Sequence, residues 1–232
     1  MSNRKPILAA FGSCARSRVQ ALCAVAALAA APFAHAIESI SDPANDFLAT
    51  FAGSTRSTDL DVLGATVTYN SATDTFVLSS TMNGAIGLTP TGFYVWGVNR
   101  GAGTPGFLAN GINGVRFDRV ILLRPDGTAT IPGVGDLPGG SVSISGNTIT
   151  GTVSGASLPS TGFAKLDYTW NLWPRDGAYA ALGFAAISDF APNNADFTTT
   201  PAAVPEPESY AMLIAGLGLM GWLGRRRIAA RT

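Results

Sequence analysis

Residues 142–153, VSISGNTITGTV, decide the fold class. Two runs that alternate β-branched or apolar residues with Ser and Thr flank Gly146-Asn147. A glycine-containing pair between two alternating runs reads as a two-residue β-hairpin. The same pattern extends outward in both directions. Ala65-Thr-Val-Thr-Tyr69 alternates, and Thr75-Phe-Val-Leu78 follows after an Asn-Ser-Ala-Thr-Asp turn. Phe93-Tyr-Val-Trp-Gly-Val98 and Val115-Arg-Phe-Asp-Arg-Val-Ile-Leu-Leu123 are aromatic and β-branched runs of the kind that favours strands. Arg124-Pro-Asp-Gly127 places Pro early and Gly late, as a turn requires. Tyr168-Thr-Trp170 reads as one more strand. No long amphipathic helix and no clear internal repeat lies between the two ends of the chain. Short strands at regular spacing predict an all-β body, an antiparallel sandwich or jelly roll.

The ends have a different composition. Arg4, Lys5, Arg16 and Arg18 precede the almost wholly apolar stretch 19–32, and Ala34-His35-Ala36 follows. A basic leader, a short apolar core and an A-x-A site describe a secretory signal peptide. Cleavage by signal peptidase after Ala36, with Ala34 and Ala36 in its narrow subsites, leaves a mature chain that begins at Ile37. The other reading is an uncleaved anchor, for which the apolar core is short against the ~20 residues a span needs. Residues 1–36 are therefore assigned to a signal-peptide helix, 37–194 to the β body, and 195–203, ADFTTTPAA, to a linker without apolar periodicity.

Removing the leader changes what chemistry the body can perform. Cys14, Cys23 and His35, the chain's two cysteines and its one histidine, all lie in it. A Ser-His-Asp triad, a Cys-His pair and a His-ligated zinc site are thereby excluded from the mature chain. A Ser-Lys pair would have to use Lys165, the body's one lysine, and Gly155-Ala-Ser-Leu-Pro159 misses a G-x-S-x-G elbow at its last position. Gly101-Ala-Gly-Thr-Pro-Gly106 fits G-x-G-x-x-G, but Gly111, Asn113 and Gly114 follow where a dinucleotide site needs a helix, so it reads as a strand connection. Between Ile37 and Val204 stand 7 basic and 13 acidic residues, a net of −6. Nucleic-acid binding needs clustered Lys and Arg, so it is not expected.

Carboxylates and aromatic rings remain as candidate site residues. Asp59 and Asp61, two apart, would share one face of a strand and offer a hydrolase pair. Such acids more often mark turns, and no catalytic residue and no resident cofactor are expected. Asp42, Asp46, Asp59 and Asp61 also offer hard oxygen ligands for structural calcium. Asp59-Leu-Asp-Val-Leu-Gly64 starts like an EF-hand loop but departs at Leu63 and at Asn70. Tyr94, Trp96, Trp170 and Trp173 would make a stacking platform for sugar rings if they stood on the surface. The spacing of Tyr94 and Trp96 points to a shared core face, whereas Trp173 precedes Pro174 and is expected in an accessible loop.

The chain closes on VPEPESYAMLIAGLGLMGWLGRRR, residues 204–227. Tyr210 to Leu223 carries no charge and would measure roughly 20 Å as a helix, short against a hydrocarbon core of ~30 Å. Arg225, Arg226 and Arg227 form a basic stop that holds the C-terminus in the cytoplasm. Ahead of the span, Pro205-Glu206-Pro207 keeps the backbone extended. The order of motif, short transmembrane helix and arginines, over residues 204–229, resembles the PEP-CTERM protein-sorting family of Gram-negative bacteria. A plain membrane anchor would have no use for the Pro-Glu-Pro motif. The resemblance implies an exosortase, a membrane-embedded cysteine transpeptidase, as the partner that recognises the tail. It implies an inner-membrane intermediate with its body in the periplasm, then a place on the cell surface or in the extracellular matrix. The alternative for the body is an exopolysaccharide-binding module delivered by the same tail.

Overall fold

The computed structural model describes residues 39–202 and 213–220. The expected signal peptide with Ala34 and Ala36 lies outside the described residues. So do Pro205, Glu206, Pro207, Arg225, Arg226 and Arg227. Within the expected membrane helix, residues 213–220 are helical. No helix among the described residues is long and apolar enough to cross a membrane. The contacts divide the chain into two units, of which residues 35–203 form the body.

The body is mostly β, built from antiparallel sheets. In chain order the strands are β1 (Ile40–Ser41), β2 (Val62–Asn70), β3 (Thr75–Met82), β4 (Gly92–Asn99), β5 (Thr104–Phe107), β6 (Ile112–Phe117) and β7 (Arg119–Leu123). They continue with β8 (Ala129–Ile131), β9 (Gly135–Asp136), β10 (Val142–Ser145), β11 (Thr148–Ser154), β12 (Thr169–Asp176), β13 (Phe197–Thr198) and β14 (Thr200–Pro201). One sheet runs β1-β2-β3-β11-β10, with β14 also on β2; the other runs β13-β12-β4-β7-β8-β9. Strands β5 and β6 form a separate ribbon. The β14–β2 pair is parallel, and every other pair is antiparallel. Helical structure is confined to short turns and one irregular run, Gly177–Ala186, broken at Tyr179 and Gly183.

The hairpin at 142–153 forms as the sequence predicts. Ser145 pairs with Thr148 and Ile144 with Ile149. Gly146 takes the positive φ, 61°, that the first central position of such a turn favours. Gly127, at φ 84°, closes the predicted Arg124–Gly127 turn by donating its amide to the Arg124 carbonyl at 3.1 Å. The run from Val115 to Leu123 does not form one strand. It breaks at Asp118, so that β6 joins β5 while β7 joins β4. The Asp118 carboxylate holds that break, accepting from Arg100 Nε at 2.8 Å and from the Thr161 hydroxyl.

Side chains of both six-stranded sheets meet in one core. Val67, Phe76, Leu78, Ile149 and Val153 come from the first sheet; Tyr94, Trp96, Ile121, Leu123, Trp170 and Leu172 come from the second. Phe76 stacks on Tyr168 at 5.6 Å and tilts against Trp170 at 5.5 Å. A second cluster lies apart from this one, with Val95, Val115, Trp173, Ile187 and Phe190 at its centre. Trp173 is therefore interior, 3% exposed, and the expectation of an accessible ring is corrected. Residues 169–176 continue as strand through Pro174, and the indole packs on Phe107 at 5.1 Å and Phe117 at 5.0 Å.

Gly97 makes room for that ring, because a Cβ there would sit 2.5 Å from the Trp173 indole. Gly97→Ala is expected to destabilise the body by about 1–3 kcal/mol. Chemical denaturation of the two forms, read by tryptophan fluorescence, measures this directly.

Within the segment expected as a linker, Phe197–Thr198 and Thr200–Pro201 form strand. Phe197 pairs with Trp170 of β12, while Thr200 and Pro201 pair with Thr68 and Tyr69 of β2. Polar composition concealed them, since both strands are two residues long and so show no alternation.

Candidate functional site

Of the four acids proposed for calcium, the structure keeps Asp42 and Asp46 together, sets Asp61 against their loop, turns Asp59 away, and adds Asp189, which spacing had not indicated. The loop Asp42-Pro-Ala-Asn-Asp46 follows β1. Asn45 adopts φ 66°, a left-handed conformation that asparagine tolerates better than most residues, and this curls the loop. The Asp42 amide donates to the Leu63 carbonyl at 3.0 Å, which fixes the loop on β2. Asp189 arrives from far along the chain. Its segment is held against β12 by the reciprocal bonds Leu172 N to Ala191 O, 3.0 Å, and Ala191 N to Leu172 O, 2.8 Å. Oxygens of Asp42, Asp46 and Asp189 all lie within 4.8 Å of one another.

Asp61 and Asp59 do not share a strand face. Asp59 lies in the short helical turn Thr58–Leu60, and Asp61 caps that turn just before β2. Asp59 is used structurally: its carboxylate takes the amide and the hydroxyl of Thr89, both at 2.7 Å, and its carbonyl takes the Tyr94 hydroxyl at 2.9 Å. Asp61 belongs with the cluster. Its Oδ2 accepts from the Asn45 amide and from Asn83 Nδ2, each at 2.8 Å.

Asp61 and Asp189 are fully buried. The oxygens of Asp189 are occupied, Oδ2 by the Val62 amide at 3.0 Å and Oδ1 by the Phe190 amide at 2.7 Å. Asp42 Oδ2, Asp46 Oδ1 and Asp61 Oδ1 are buried and have no hydrogen-bond donor. Ion pairs among the described residues join Arg100 to Asp118 and Lys165 to Asp74, so neither serves this cluster. Two like charges at such a separation repel by about 3–4 kcal/mol at an effective dielectric constant of 20. Burial, and then the charge of Asp46, pushes the Asp42 carboxyl above the usual carboxylate range. Burial does the same to Asp189, against the pull of the Val62 amide and with the charges of Asp42 and Asp46 adding to it. Ser-Asp-Phe at 188–190, an acid set in an otherwise apolar stretch, was the one signal that could have drawn attention to Asp189.

The four aromatic side chains are all interior. Tyr94, Trp96 and Trp170 are 0% exposed, and Trp170 Nε1 donates to Thr199 Oγ1 at 2.8 Å. With Trp173 also covered, these rings form no stacking platform. Neither of two shallow hollows on the body holds a carboxylate pair. One, of about 250 Å³, is lined by Phe117, Asp118, Arg119, Val120 and Pro132, and the other, of about 190 Å³, holds Asp126 beside Arg124. Each has one acid. The G-x-G-x-x-G stretch runs into β5 at Thr104, and the single 3-10 turn that follows β5, Leu108–Asn110, is three residues long and precedes β6 rather than opening the helix a dinucleotide site needs.

Comparison with known families places the tail. Residues 203–227 match the model of the PEP-CTERM protein-sorting motif. That match covers the stretch singled out at the C-terminus and leaves the β body outside it. No curated protein matches the chain.

Proposed function

We propose that this is an exported bacterial surface or extracellular-matrix protein whose C-terminal tail is the substrate of an exosortase. The match of residues 203–227 to the sorting motif carries this reading. The enzyme grips the extended Pro205-Glu206-Pro207 segment while the apolar run and the Arg225–Arg227 block hold the chain in the membrane. The leader supports export with the same orientation: signal peptidase cuts after Ala36, and the body reaches the periplasm before the tail is processed. On this reading these residues are recognised rather than catalytic, and the body is a structural β-sandwich without catalytic duty. Its two buried apolar clusters suit a scaffold. Exopolysaccharide binding finds no support in the aromatic side chains, because all four are packed inside.

The test is the intact mass of the protein recovered from its own host. A mature chain that begins at Ile37 and ends near Pro205-Glu206-Pro207 is the expected result. Replacing those three residues with alanine should retain the unprocessed tail in the membrane fraction. A native chain that still carries Arg225, Arg226 and Arg227 would sink the sorting role and leave a single-pass anchored protein.

A further inference from the structure

We propose that Asp42, Asp46, Asp61 and Asp189 bind one hard divalent cation of the calcium class. Three of these carboxylates place oxygens within 4.8 Å of one another. Asp61 supplies the independent observation. It is fully buried, its Oδ2 is pinned by the amide of Asn45 next to Asp46, and its Oδ1 is left inside without a donor. That bond, from the loop residue between Asp42 and Asp46, sets Asp61 against the same loop. Asp42 Oδ2 and Asp46 Oδ1, in that loop, are buried without donors as well.

A buried acceptor without a partner is costly, and natural folds rarely leave one. Here three carboxylate oxygens from three residues share that state. One shared proton would satisfy a single pair of oxygens and leave the third. A divalent cation satisfies all of them and offsets the charge at once. Carboxylate oxygens in an irregular loop are the donors calcium prefers. Zinc and copper favour imidazole and thiolate, and the residues from 37 onward contain neither His nor Cys. The cation would tie the loop 42–46 to the start of β2 and to the segment that carries Asp189 on β12. It would thus join the loop after β1 to both sheets.

The full chain, purified in detergent and stripped with EDTA, tests this by calorimetric titration and thermal melting with calcium chloride or magnesium chloride. The expected result is one calcium per chain and a melting temperature higher by on the order of 5–10 °C at saturation. Magnesium should give a smaller shift. Asp42→Asn with Asp46→Asn should abolish the calcium response. In EDTA the same double variant should melt no lower than the parent, since it removes repulsion. Calcium should therefore reverse the order of stability of the two proteins. Identical melting of the parent in EDTA and in calcium, without heat of binding, overturns the site. A variant that keeps the full calcium shift overturns the ligand assignment, and a magnesium shift as large as that of calcium overturns the calcium class. The calorimetry of the parent decides the matter even if the variant does not fold.

Discussion

A chain that stops at Asn194 is expected to lose its native fold, whereas one that stops at Ala202 should keep it. Eight residues separate the two, and they reach both sheets. Asp196 accepts from the Arg116 amide at 3.2 Å and from Thr169 Oγ1 at 3.0 Å. Phe197 packs edge-on to Trp96 with ring centres 6.5 Å apart. Thr199 Oγ1 takes the buried indole N–H of Trp170 and donates to the Tyr168 carbonyl at 2.9 Å. Thr200 Oγ1 donates to the Val67 carbonyl at 3.1 Å, and the Ala202 amide donates to Tyr69 at 2.8 Å. Losing a buried phenyl ring costs about 3–5 kcal/mol. Stranding a buried indole donor costs about 1–3 kcal/mol more. Against a total stability of about 5–15 kcal/mol, that is enough to unfold a domain of ordinary stability. Near-ultraviolet circular dichroism of both lengths reads the outcome. Equal melting temperatures would show that 195–202 is dispensable and restore the linker reading.

Trp170→Ala should have the largest effect of any single substitution in the body. Its ring lies between the sheets against Phe76, fully buried, with its one polar atom bonded. Truncation removes the ring, leaves a cavity, and strips Thr199 of a donor. The expected loss is about 3–5 kcal/mol, or a melting temperature lower by roughly 6–20 °C. Trp170→Phe separates the causes, since it retains most of the packing and deletes the hydrogen bond. Leu182→Ala is the matched control: that side chain is 58% exposed, so its change should fall within about 0.5 kcal/mol. Comparable losses at the two positions would mean that the shared core is not the principal source of stability.

The division between legible and illegible features follows the range of the interactions that set them. Gly146-Asn147 and Arg124–Gly127 were readable because a turn's conformation is chosen by its own few residues. The interior location of Tyr94 and Trp96 was readable from their spacing of two. Trp173 was not, because its cover comes from Phe107, Phe117 and Phe190, on separate segments of chain. A proline next to a tryptophan looks like a loop until those partners are known. The acidic pocket shows the same limit. Asp42 and Asp46 were singled out by proximity in sequence. Asp189 joins them only because the chain returns past β12, and Asp59, near by number, is diverted to Thr89. The sorting tail was legible for the opposite reason. It is recognised as a linear string, so its meaning resides in residue order.

The two chain ends of the body share one further role. Strand β2 has β3 on one side, and along its other side β1 covers Gly64 and Ala65 while β14 covers Thr68 and Tyr69. An open strand edge of this kind invites another molecule to add its own strand, the first step toward fibrils. Here the edge is closed by two short pieces taken from opposite ends of the sequence. Scission at or beyond Pro205, as proposed above, would leave both pieces in place. On the proposed processing, this edge of β2 would stay covered in the product.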